Sequence, residues 1–375
     1  MAKTNNSSAI VQNLLGLADV VVNGNRPWDI RVTNDKLYVR VLRQGSLGLG
    51  ESYMDGWWDA PHLDEFFNKI LSAELDKKVK INLKIILPVL AGLLINPQSK
   101  SRAFKIGEHH YDLGNDLYEA MLDKRMVYTC GFWKHAHDLD EAQEAKLEMA
   151  CNKLNLSPGM KVLDIGCGWG SFAKYAAEKH GASVVGVTVS KEQAELGRDM
   201  CRGLPVEIRL QDYRAVEGMF DRVVSLGMVE HVGYKNYGTY MRVAHEHLKD
   251  KGIFLLHTIG GLRSGKSMDP WIERYIFPNS ILPSVAQLAK AAEGLFVIED
   301  LHNFGADYDK TLMAWFNNFN NHWAELQPRY GDRFYRMWKY YLLACAGSFR
   351  VRKNQLWQIV LSKGGIPGGY NKRVV

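Results

Sequence analysis

Residues 161–171 read K-V-L-D-I-G-C-G-W-G-S, and this stretch decides the fold that we predict. A short apolar run, interrupted only by Asp164, indicates a buried strand, and three alternating glycines after it indicate a tight turn. A helical pattern begins directly after the turn. The N-terminus of such a helix offers free backbone N–H groups and a partial positive charge, and glycines let a ligand approach the backbone closely. The stretch therefore predicts a nucleotide-sized site between a strand and a helix.

The spacing of the glycines separates two kinds of nucleotide site. A dinucleotide fingerprint requires G-x-G-x-x-G, which would place a glycine where the chain has Ser171. The spacing D-x-G-x-G-x-G instead resembles motif I of class I S-adenosylmethionine (SAM) methyltransferases, with Asp164, Gly166, Gly168 and Gly170 at the motif positions. In such a site the acid meets the ammonium group of the methionine moiety or organises the loop. A glycine turn without a ligand is the remaining alternative.

The chain around this turn alternates strand and helix patterns, as a doubly wound α/β sheet requires. A helix at 138–154, capped by Asp138 with Glu141, precedes the turn, and strands are predicted at 183–189, 206–210, 221–228, 252–257, 296–301 and 357–361. Ligands of such sheets bind at the carboxyl ends of the strands. The polar residues at those ends, or just beyond them, are Asp164, Thr188, Gln193, Asp212, Tyr213, Glu230 and His257.

Composition limits the class of protein. The chain has 375 residues, of which 46% are hydrophobic and 23% charged, as is typical of a globular protein. Its net charge of +6 fits a nucleic acid or an anionic membrane as partner, but no run of five like charges provides a nucleic-acid-binding arm. Five cysteines without a C-x-x-C pair, and an N-terminus without an apolar signal core, indicate a reducing cytoplasm and no metal site.

The first hundred residues are predicted to form a separate domain. We expect a small N-terminal α+β domain at residues 1–97, with a strand-like stretch at 20–43 and helices at 61–98, and a linker at 96–100. Lysines at 77, 78, 80 and 84 beside an apolar run at 85–94 fit either an interfacial membrane helix or a domain-packing helix. No apolar run reaches the ~20 residues that a membrane-spanning helix needs.

Glu230 and His257 form a candidate acid/base pair at the ends of two predicted strands. A methyltransferase often needs no base, because SAM carries a good leaving group, so this pair indicates a proton that must be removed. The alternatives are that Glu230 caps a helix and that His257 is a hydrogen-bonded core residue. Residues 263–279 and 303–309 interrupt the strand–helix pattern with aromatic side chains, which fit either a roof over an acyl-sized tunnel or a dimer face.

Eight motifs carry a more specific resemblance. They are G-S-L-G-L-G-E-S-Y-M-D-G-W-W, H-Y-D-L-G-N-D-L-Y, Y-T-C-G-F-W, V-L-D-I-G-C-G-W-G, G-M-V-E-H-V-G, L-L-H-T-I-G, D-P-W-I-x-x-Y-I-F-P-N and N-F-G-A-D-Y-D. Through them the chain resembles the cyclopropane-fatty-acyl-phospholipid synthases over nearly its whole length. The resemblance implies transfer of a methylene group from SAM to the cis double bond of an unsaturated phospholipid acyl chain. It implies a catalytic part at 98–375, with a SAM core at about 158–262 and an aromatic acyl-chain cap at about 263–350.

The resemblance also assigns roles to individual residues. The base of that family is a bound bicarbonate ion, whose ligands fall on Cys130, Glu230, His257, Tyr308 and the main chain of Ile259. SAM contacts fall on Tyr128 and Thr129, in addition to the glycine turn and the strand-end residues Thr188, Gln193, Asp212 and Tyr213. We expect a homodimer that is cytoplasmic and peripheral on the inner face of the membrane, with a phospholipid bilayer as partner and no nucleic acid. The alternative is a SAM-dependent methyltransferase that acts on a lipid or small amine without closing a ring.

Overall fold

The computed structural model describes residues 2–74 and 114–372, with side chains from residue 7 onward. The chain divides into two compact units, and each is assembled from separate stretches. The first unit comprises Met1–Ile95, Ser267–Pro278 and Tyr308–Asn354, and the second comprises Asn96–Lys266, Asn279–Asp307 and Gln355–Val375. The predicted domain boundary at residue 97, the linker and the lysine-flanked apolar run at 77–94 lie outside the described residues.

The helices are α1 (Ala2–Gly16), α2 (Lys36–Gln44), α3 (Ser46–Met54), α4 (Leu63–Ser72), α5 (Asn115–Met121), α6 (Leu139–Lys153), α7 (Ser171–His180), α8 (Lys191–Met200), α9 (Tyr237–Glu246), α10 (Pro270–Tyr275), α11 (Val285–Ala292), α12 (Asp307–Asn321) and α13 (Trp323–Arg350). The strands are β1 (Arg31–Val32), β2 (Trp58–Asp59), β3 (Lys161–Ile165), β4 (Ser183–Thr188), β5 (Val206–Leu210), β6 (Phe220–Leu226), β7 (Leu248–Gly261), β8 (Val297–Asn303) and β9 (Asn354–Ser362).

The described part of the first unit is mainly helical, and the strand predicted at 20–43 is wrong. Within that range only β1 is a strand; it pairs antiparallel with β2, and α2 begins at Lys36. The stretch before β1 instead folds around the buried carboxylate of Asp29, which accepts hydrogen bonds from the backbone N–H groups of Val21 and Arg26. The Asp29 carboxylate accepts hydrogen bonds from backbone N–H groups that would otherwise pair with a neighbouring strand. The apolar run therefore forms a loop rather than a long strand.

The core of the first unit is aromatic. The rings of Tyr53 and Trp58 lie 5.1 Å apart in an edge-on arrangement, and Tyr340 of α13 lies 5.4 Å from Tyr53. Helix α13 packs closely on α4 at Gly347, where an added Cβ would lie 2.7 Å from Cβ of Phe67. Elements that are almost 300 residues apart in sequence therefore share one core in this unit.

The second unit contains a seven-stranded sheet of order β5-β4-β3-β6-β7-β9-β8. Strand β3 pairs in parallel with β4 and β6, β4 with β5, and β6 with β7, whereas β8 and β9 are antiparallel. Along β3, Leu163 and Ile165 belong to one hydrophobic cluster and Val162 belongs to the other. Successive strand residues point to opposite faces, so both faces of this sheet are buried. The predicted α/β fold is confirmed, and its strands fall within a few residues of the predicted ranges.

Helix α6 starts at a capping arrangement. The carboxylate of Asp138 accepts from the backbone N–H of Glu141 at 2.9 Å, and the Glu141 side chain accepts from the N–H of His137 at 2.9 Å. These two bonds satisfy donors that a helix start leaves free. They fix the beginning of the helix that supports residues 127–130, described below.

Candidate functional site

The glycine turn between β3 and α7 borders a cavity of about 170 Å³ in the second unit. All three glycines of the turn have positive φ, at 79° for Gly166, 56° for Gly168 and 81° for Gly170. At Gly166 an added Cβ would lie 2.5 Å from Cγ of Met228, so both the backbone conformation and the space demand glycine there. The backbone N–H groups of the first turn of α7 follow immediately.

Nearly all of the predicted SAM contacts share this cavity. Gly170 does not line it; it precedes α7, and an added Cβ there would lie 3.2 Å from Sγ of Cys201. The other nine predicted contacts do line the cavity: Tyr128, Thr129, Asp164, Gly166, Gly168, Thr188, Gln193, Asp212 and Tyr213. Residues separated by 85 positions in sequence therefore surround one space.

The ends of β4 and β5 present polar groups that hold one another in place. Oγ1 of Thr188 donates to Oε1 of Gln193 at 2.8 Å, and Ser190 caps α8 between them. Arg214 holds the carboxylate of Asp212 with two hydrogen bonds. Its Nε and Nη2 donate to the two oxygens of Asp212 at 2.8 and 2.6 Å. Arg214 also lines the cavity, and the sequence analysis did not single it out. Arg214 lies two residues beyond Asp212, where no hydrophobic periodicity distinguishes it from a surface arginine.

Asp164 and Lys146 are the most deeply buried ionisable residues of the cavity lining, at 1% and 0% exposed. Both carboxylate oxygens of Asp164 are buried and have no hydrogen-bond donor among the described residues. Burial raises the pKa of the Asp164 carboxyl to about 7, and the charge of Lys146 opposes this rise. Burial likewise lowers the pKa of the Lys146 ammonium to about 8, against the attraction of Asp123, Cys130 and Asp164.

Helix α6 holds the segment that carries Tyr128, Thr129 and Cys130. Nε2 of Gln143 donates to the carbonyl oxygen of Thr129 at 2.7 Å, and Nζ of Lys146 donates to Oγ1 of Thr129 at 2.8 Å. Both supporting side chains are fully buried. The sequence analysis did not identify them, although Lys146 lies on the apolar stripe of the helix next to Leu147. A lysine on the apolar side of a predicted helix is unusual, and it could have indicated a buried side chain with a function.

Glu230 and His257 lie on neighbouring elements of the second unit, and both side chains are buried. Glu230 lies on a short 3₁₀ helix (Val229–His231) after β6, and His257 lies in β7, which pairs with β6. Oε1 of Glu230 accepts the backbone N–H of Ile259 at 2.7 Å. The other carboxylate oxygen of Glu230 and Nε2 of His257 are buried without a hydrogen-bond partner among the described residues. Each of these buried polar atoms is costly unless a ligand satisfies it.

The protonation states of this pair follow from burial. Burial raises the pKa of the Glu230 carboxyl from 4.5 to about 7, and the backbone N–H groups of Glu230 and Ile259 and the Thr258 side chain offset part of that rise. Burial also lowers the pKa of His257 well below its ordinary value, so its imidazole is neutral. Nε2 of Gln358 lies 3.4 Å from Nδ1 of His257. With the amide in this orientation Nδ1 accepts, and the imidazole proton therefore resides on Nε2.

The remaining predicted bicarbonate ligands have separate surroundings. Cys130 is fully buried, and its Sγ donates to the carbonyl oxygen of Gly131 at 3.1 Å. Tyr308 belongs to the first unit, where its ring stacks on Phe349 at 4.5 Å. Cys130, Glu230, His257 and Ile259 belong to the second unit but are not among the residues that line the cavity. The common role of Cys130 and Tyr308 as ligands stays a prediction.

Within residues 2–74 and 114–372 no three or more His, Cys, Asp and Glu side chains are arranged to hold a metal ion. In the same ranges no helix combines the length and the apolar character needed to cross a membrane.

Solved structures share the fold of this chain. A cyclopropane synthase from Mycobacterium tuberculosis is 31% identical, with a TM-score of 0.65 over 69% of this chain and 98% of that chain. A mycolic acid cyclopropane synthase complexed with SAH and CTAB is 31% identical, with a TM-score of 0.66 over 69% of this chain and 98% of that chain. The parallel sheet, the glycine turn and the cavity beside it define a class I SAM-dependent methyltransferase.

The sequence comparisons identify the family within that class. The cyclopropane-fatty-acyl-phospholipid synthase of Escherichia coli (strain K12) is 55% identical over 355 residues, which cover 95% of this chain and 93% of that protein. Residues 98–359 match the family described as mycolic acid cyclopropane synthetase. The chain belongs to this family.

Proposed function

We propose that the protein transfers a methylene group from SAM to the cis double bond of an unsaturated phospholipid acyl chain and so forms a cyclopropane ring. The observation that carries this proposal is the buried pair of unsatisfied atoms, Oε2 of Glu230 and Nε2 of His257, in the unit that contains the SAM cavity. Simple methylation of a nucleophile often needs no base, because SAM carries a good leaving group. Ring closure always needs one, because a proton must leave the methyl group after that group has been transferred.

The residues of the second unit fit the demands of this reaction. An alkene is a weak nucleophile, so the site must hold it in line with the S–CH₃ bond and exclude water. Addition of the methyl group leaves a carbocation on the acyl chain, which water would convert to an alcohol. Glu230 and His257 are 5% and 1% exposed, and the rings of Phe304 and His257 lie 5.7 Å apart. Phe132 in turn packs edge-on against Phe304, and aromatic faces of this kind stabilise a nearby cation.

We further propose that Glu230, His257, Cys130, Tyr308 and the main chain of Ile259 hold a bicarbonate ion. The residues present fit a small anion. Nε2–H of His257 is a donor without a partner among the described residues, and a Glu230 carboxyl with a pKa near 7 keeps a proton that it can donate. When bound, bicarbonate supplies the base for the departing proton. Activity should fall in bicarbonate-depleted buffer and return on adding bicarbonate, while the affinity for SAH stays constant.

The activity is tested with SAM and vesicles of phospholipid that carries cis-unsaturated acyl chains. We expect each modified chain to gain one CH₂ by mass spectrometry and to show cyclopropane protons, with loss of the alkene protons, by NMR. Vesicles of fully saturated phospholipid are the control and should give no product. Absence of product from the unsaturated lipid, or a methyl branch that forms without a ring, would overturn the proposal.

We also propose that the protein works as a homodimer at the inner face of the membrane, with residues 1–97 as the domain that docks or dimerises. The lysine-flanked apolar run at 77–94 and the net charge of +6 support attraction to an anionic surface. Flotation with vesicles of increasing anionic lipid content should show increasing binding. Sedimentation should give twice the mass of the 42.6 kDa chain. A monomer, or binding that does not depend on lipid charge, would contradict this part.

A further inference from the structure

Lys146 is a buried cation whose role the proposed reaction does not explain. Its side chain is fully buried, lines the SAM cavity and donates from Nζ to Oγ1 of Thr129 at 2.8 Å. A buried ammonium group is costly unless its hydrogens meet acceptors. Asp123 faces it electrostatically, but the Asp123 carboxylate already accepts the backbone N–H groups of Arg125 and Val127. The ammonium group of Lys146 therefore donates a hydrogen bond to the Thr129 hydroxyl and adds a positive charge to the wall of the cavity.

The bond from Lys146 determines the direction of the Thr129 hydroxyl. An ammonium group only donates, so the Thr129 oxygen is the acceptor of this bond and its own hydrogen must point elsewhere. The Thr129 methyl group packs against Gly227, where an added Cβ would lie 2.7 Å from Cγ2. The Thr129 carbonyl oxygen is held by Gln143 at 2.7 Å. Within residues 2–74 and 114–372 the Thr129 hydroxyl hydrogen has no acceptor, and Thr129 lines the cavity.

Asp164 supplies the opposite charge in the same cavity. Both of its carboxylate oxygens are buried and lack a donor among the described residues. A cavity that presents an unsatisfied carboxylate together with an oriented hydroxyl donor backed by a cation is complementary to a zwitterion. The methionine moiety of SAM is such a zwitterion, with an ammonium and a carboxylate on one carbon atom.

We propose that Lys146 is a positioning residue that acts through Thr129 on the carboxylate of the SAM methionine moiety, while Asp164 receives the ammonium group. The chain of bonds runs from Lys146 Nζ–H to Thr129 Oγ1, and from Thr129 Oγ1–H to the cofactor carboxylate. Both steps use donors that are oriented before the ligand arrives, which reduces the cost of binding. This inference rests on the proposed use of SAM and adds to it the recognition of one ligand group.

The test compares two ligands that differ by one group. The affinities of SAH and of decarboxylated SAH, which lacks only the carboxylate, are measured by titration calorimetry for the full-length protein. We expect Lys146→Met and Thr129→Val each to weaken SAH binding by at least about tenfold and to change the binding of decarboxylated SAH by less than about twofold. Thr129→Val retains the shape of the side chain, so it carries the test if Lys146→Met does not fold.

A matched control is present in the same helix. Lys153 is also a fully buried lysine of α6, but it does not line the cavity, and Lys153→Met should leave SAH affinity within about twofold of the wild type. Equal weakening of both ligands by Lys146→Met and Thr129→Val would show a general structural effect and overturn the inference, as would no weakening of either. If the wild-type protein binds neither ligand, the proposed use of SAM itself fails.

Discussion

At the scale of single residues, burial decides the chemistry of the candidate site. Glu230 sits in an apolar environment that raises the pKa of its carboxyl to about 7, while the exposed Glu207 pairs with Arg209, and the pKa of its carboxyl is lowered. The same residue type therefore keeps its proton near neutral pH at one strand end and is an ordinary surface carboxylate on β5. Only the buried one can donate a hydrogen bond to an anion at neutral pH.

Replacing Glu230 with glutamine should remove most of the activity and leave cofactor binding intact. Glutamine retains the shape of the side chain but cannot exchange a proton, so we expect a loss of about 10²- to 10⁴-fold in turnover. SAH affinity, measured by calorimetry, should stay within about threefold of the wild type, because Glu230 does not line the cavity. Glu207→Gln is the control and should retain full activity. Loss of SAH binding in Glu230→Gln would contradict the assigned role.

The same substitution predicts a pH-dependent difference in stability. The pKa of Glu230 is raised on folding. Its contribution to the free energy of unfolding is therefore complete below its unfolded pKa of 4.5 and is lost as pH rises through about 7. Glu230→Gln removes this dependence. Relative to the wild type, we expect the free energy of unfolding of Glu230→Gln to increase by roughly 3 kcal/mol between pH 4.5 and pH 8. Urea denaturation of both proteins across this range checks it, and parallel curves would show that Glu230 titrates normally in the folded protein.

At the scale of elements, the pairing of β7 with β9 positions His257. Gly260 follows the site in β7, and an added Cβ there would lie 1.9 Å from Cζ3 of Trp357 in β9. The close approach allows the indole to pack on the face of β7 opposite the His257 side chain. Gln358, the next residue of β9, faces the imidazole at 3.4 Å. The orientation of the histidine therefore depends on a contact between strands about 100 residues apart.

Gly260→Ala should destabilise the protein at the pairing of β7 with β9. The new methyl group must displace Trp357, so we expect a loss of about 1–3 kcal/mol in the free energy of unfolding. Gly238→Ala in α9 is the matched control, because nothing lies within 4 Å of an added Cβ there. Alanine favours a helix over glycine, so this control should gain about 0.5–1 kcal/mol. Chemical denaturation measures both, and equal stabilities would show that the sheet relaxes around the added group.

At the scale of the whole molecule, sequence order and packing order differ. The first unit joins the N-terminal elements with α10, with all of α13 and with most of α12. Arg350 at the end of α13 donates to Asp64 of α4 at 2.8 Å and to Asp309 of α12 at 2.9 Å. Together with the close contact at Gly347, these bonds make α4 part of the support of α13.

Removal of residues 1–97 should therefore not leave an intact remainder. The faces of α13 that pack on α3 and α4 would be exposed to water, including the contacts of Tyr340 and Gly347. We expect the chain that begins at residue 98 to aggregate, or to unfold at least about 5 °C below the full-length protein. Sedimentation velocity and thermal unfolding measure this. A monodisperse truncated chain of unchanged melting temperature would show that the N-terminal elements are independent.

Sequence patterns predicted the sheet of the second unit well and the N-terminal part less well. Strands buried on both faces appear as continuous apolar runs, and motif spacing, strand ends and the family resemblance together identified nine residues of the cavity. The valine-rich stretch before Asp29 looked like a strand, but a buried carboxylate captured its backbone N–H groups. Lys146 was missed because a lysine is expected in solvent, and only the packing of α6 shows that it is buried.

The sequence by itself determined the glycine turn, the approximate positions of the strands along the chain and the family, because these depend on local conformation and on motifs that are continuous in the chain. Only the tertiary structure decided which polar atoms lose water and which donors they meet. Lys146 meets Thr129, and His257 meets Gln358, across 17 and 101 residues of chain. Burial and hydrogen bonding of this kind result from the packing of distant segments, and they set the proton and charge states on which the proposed chemistry depends.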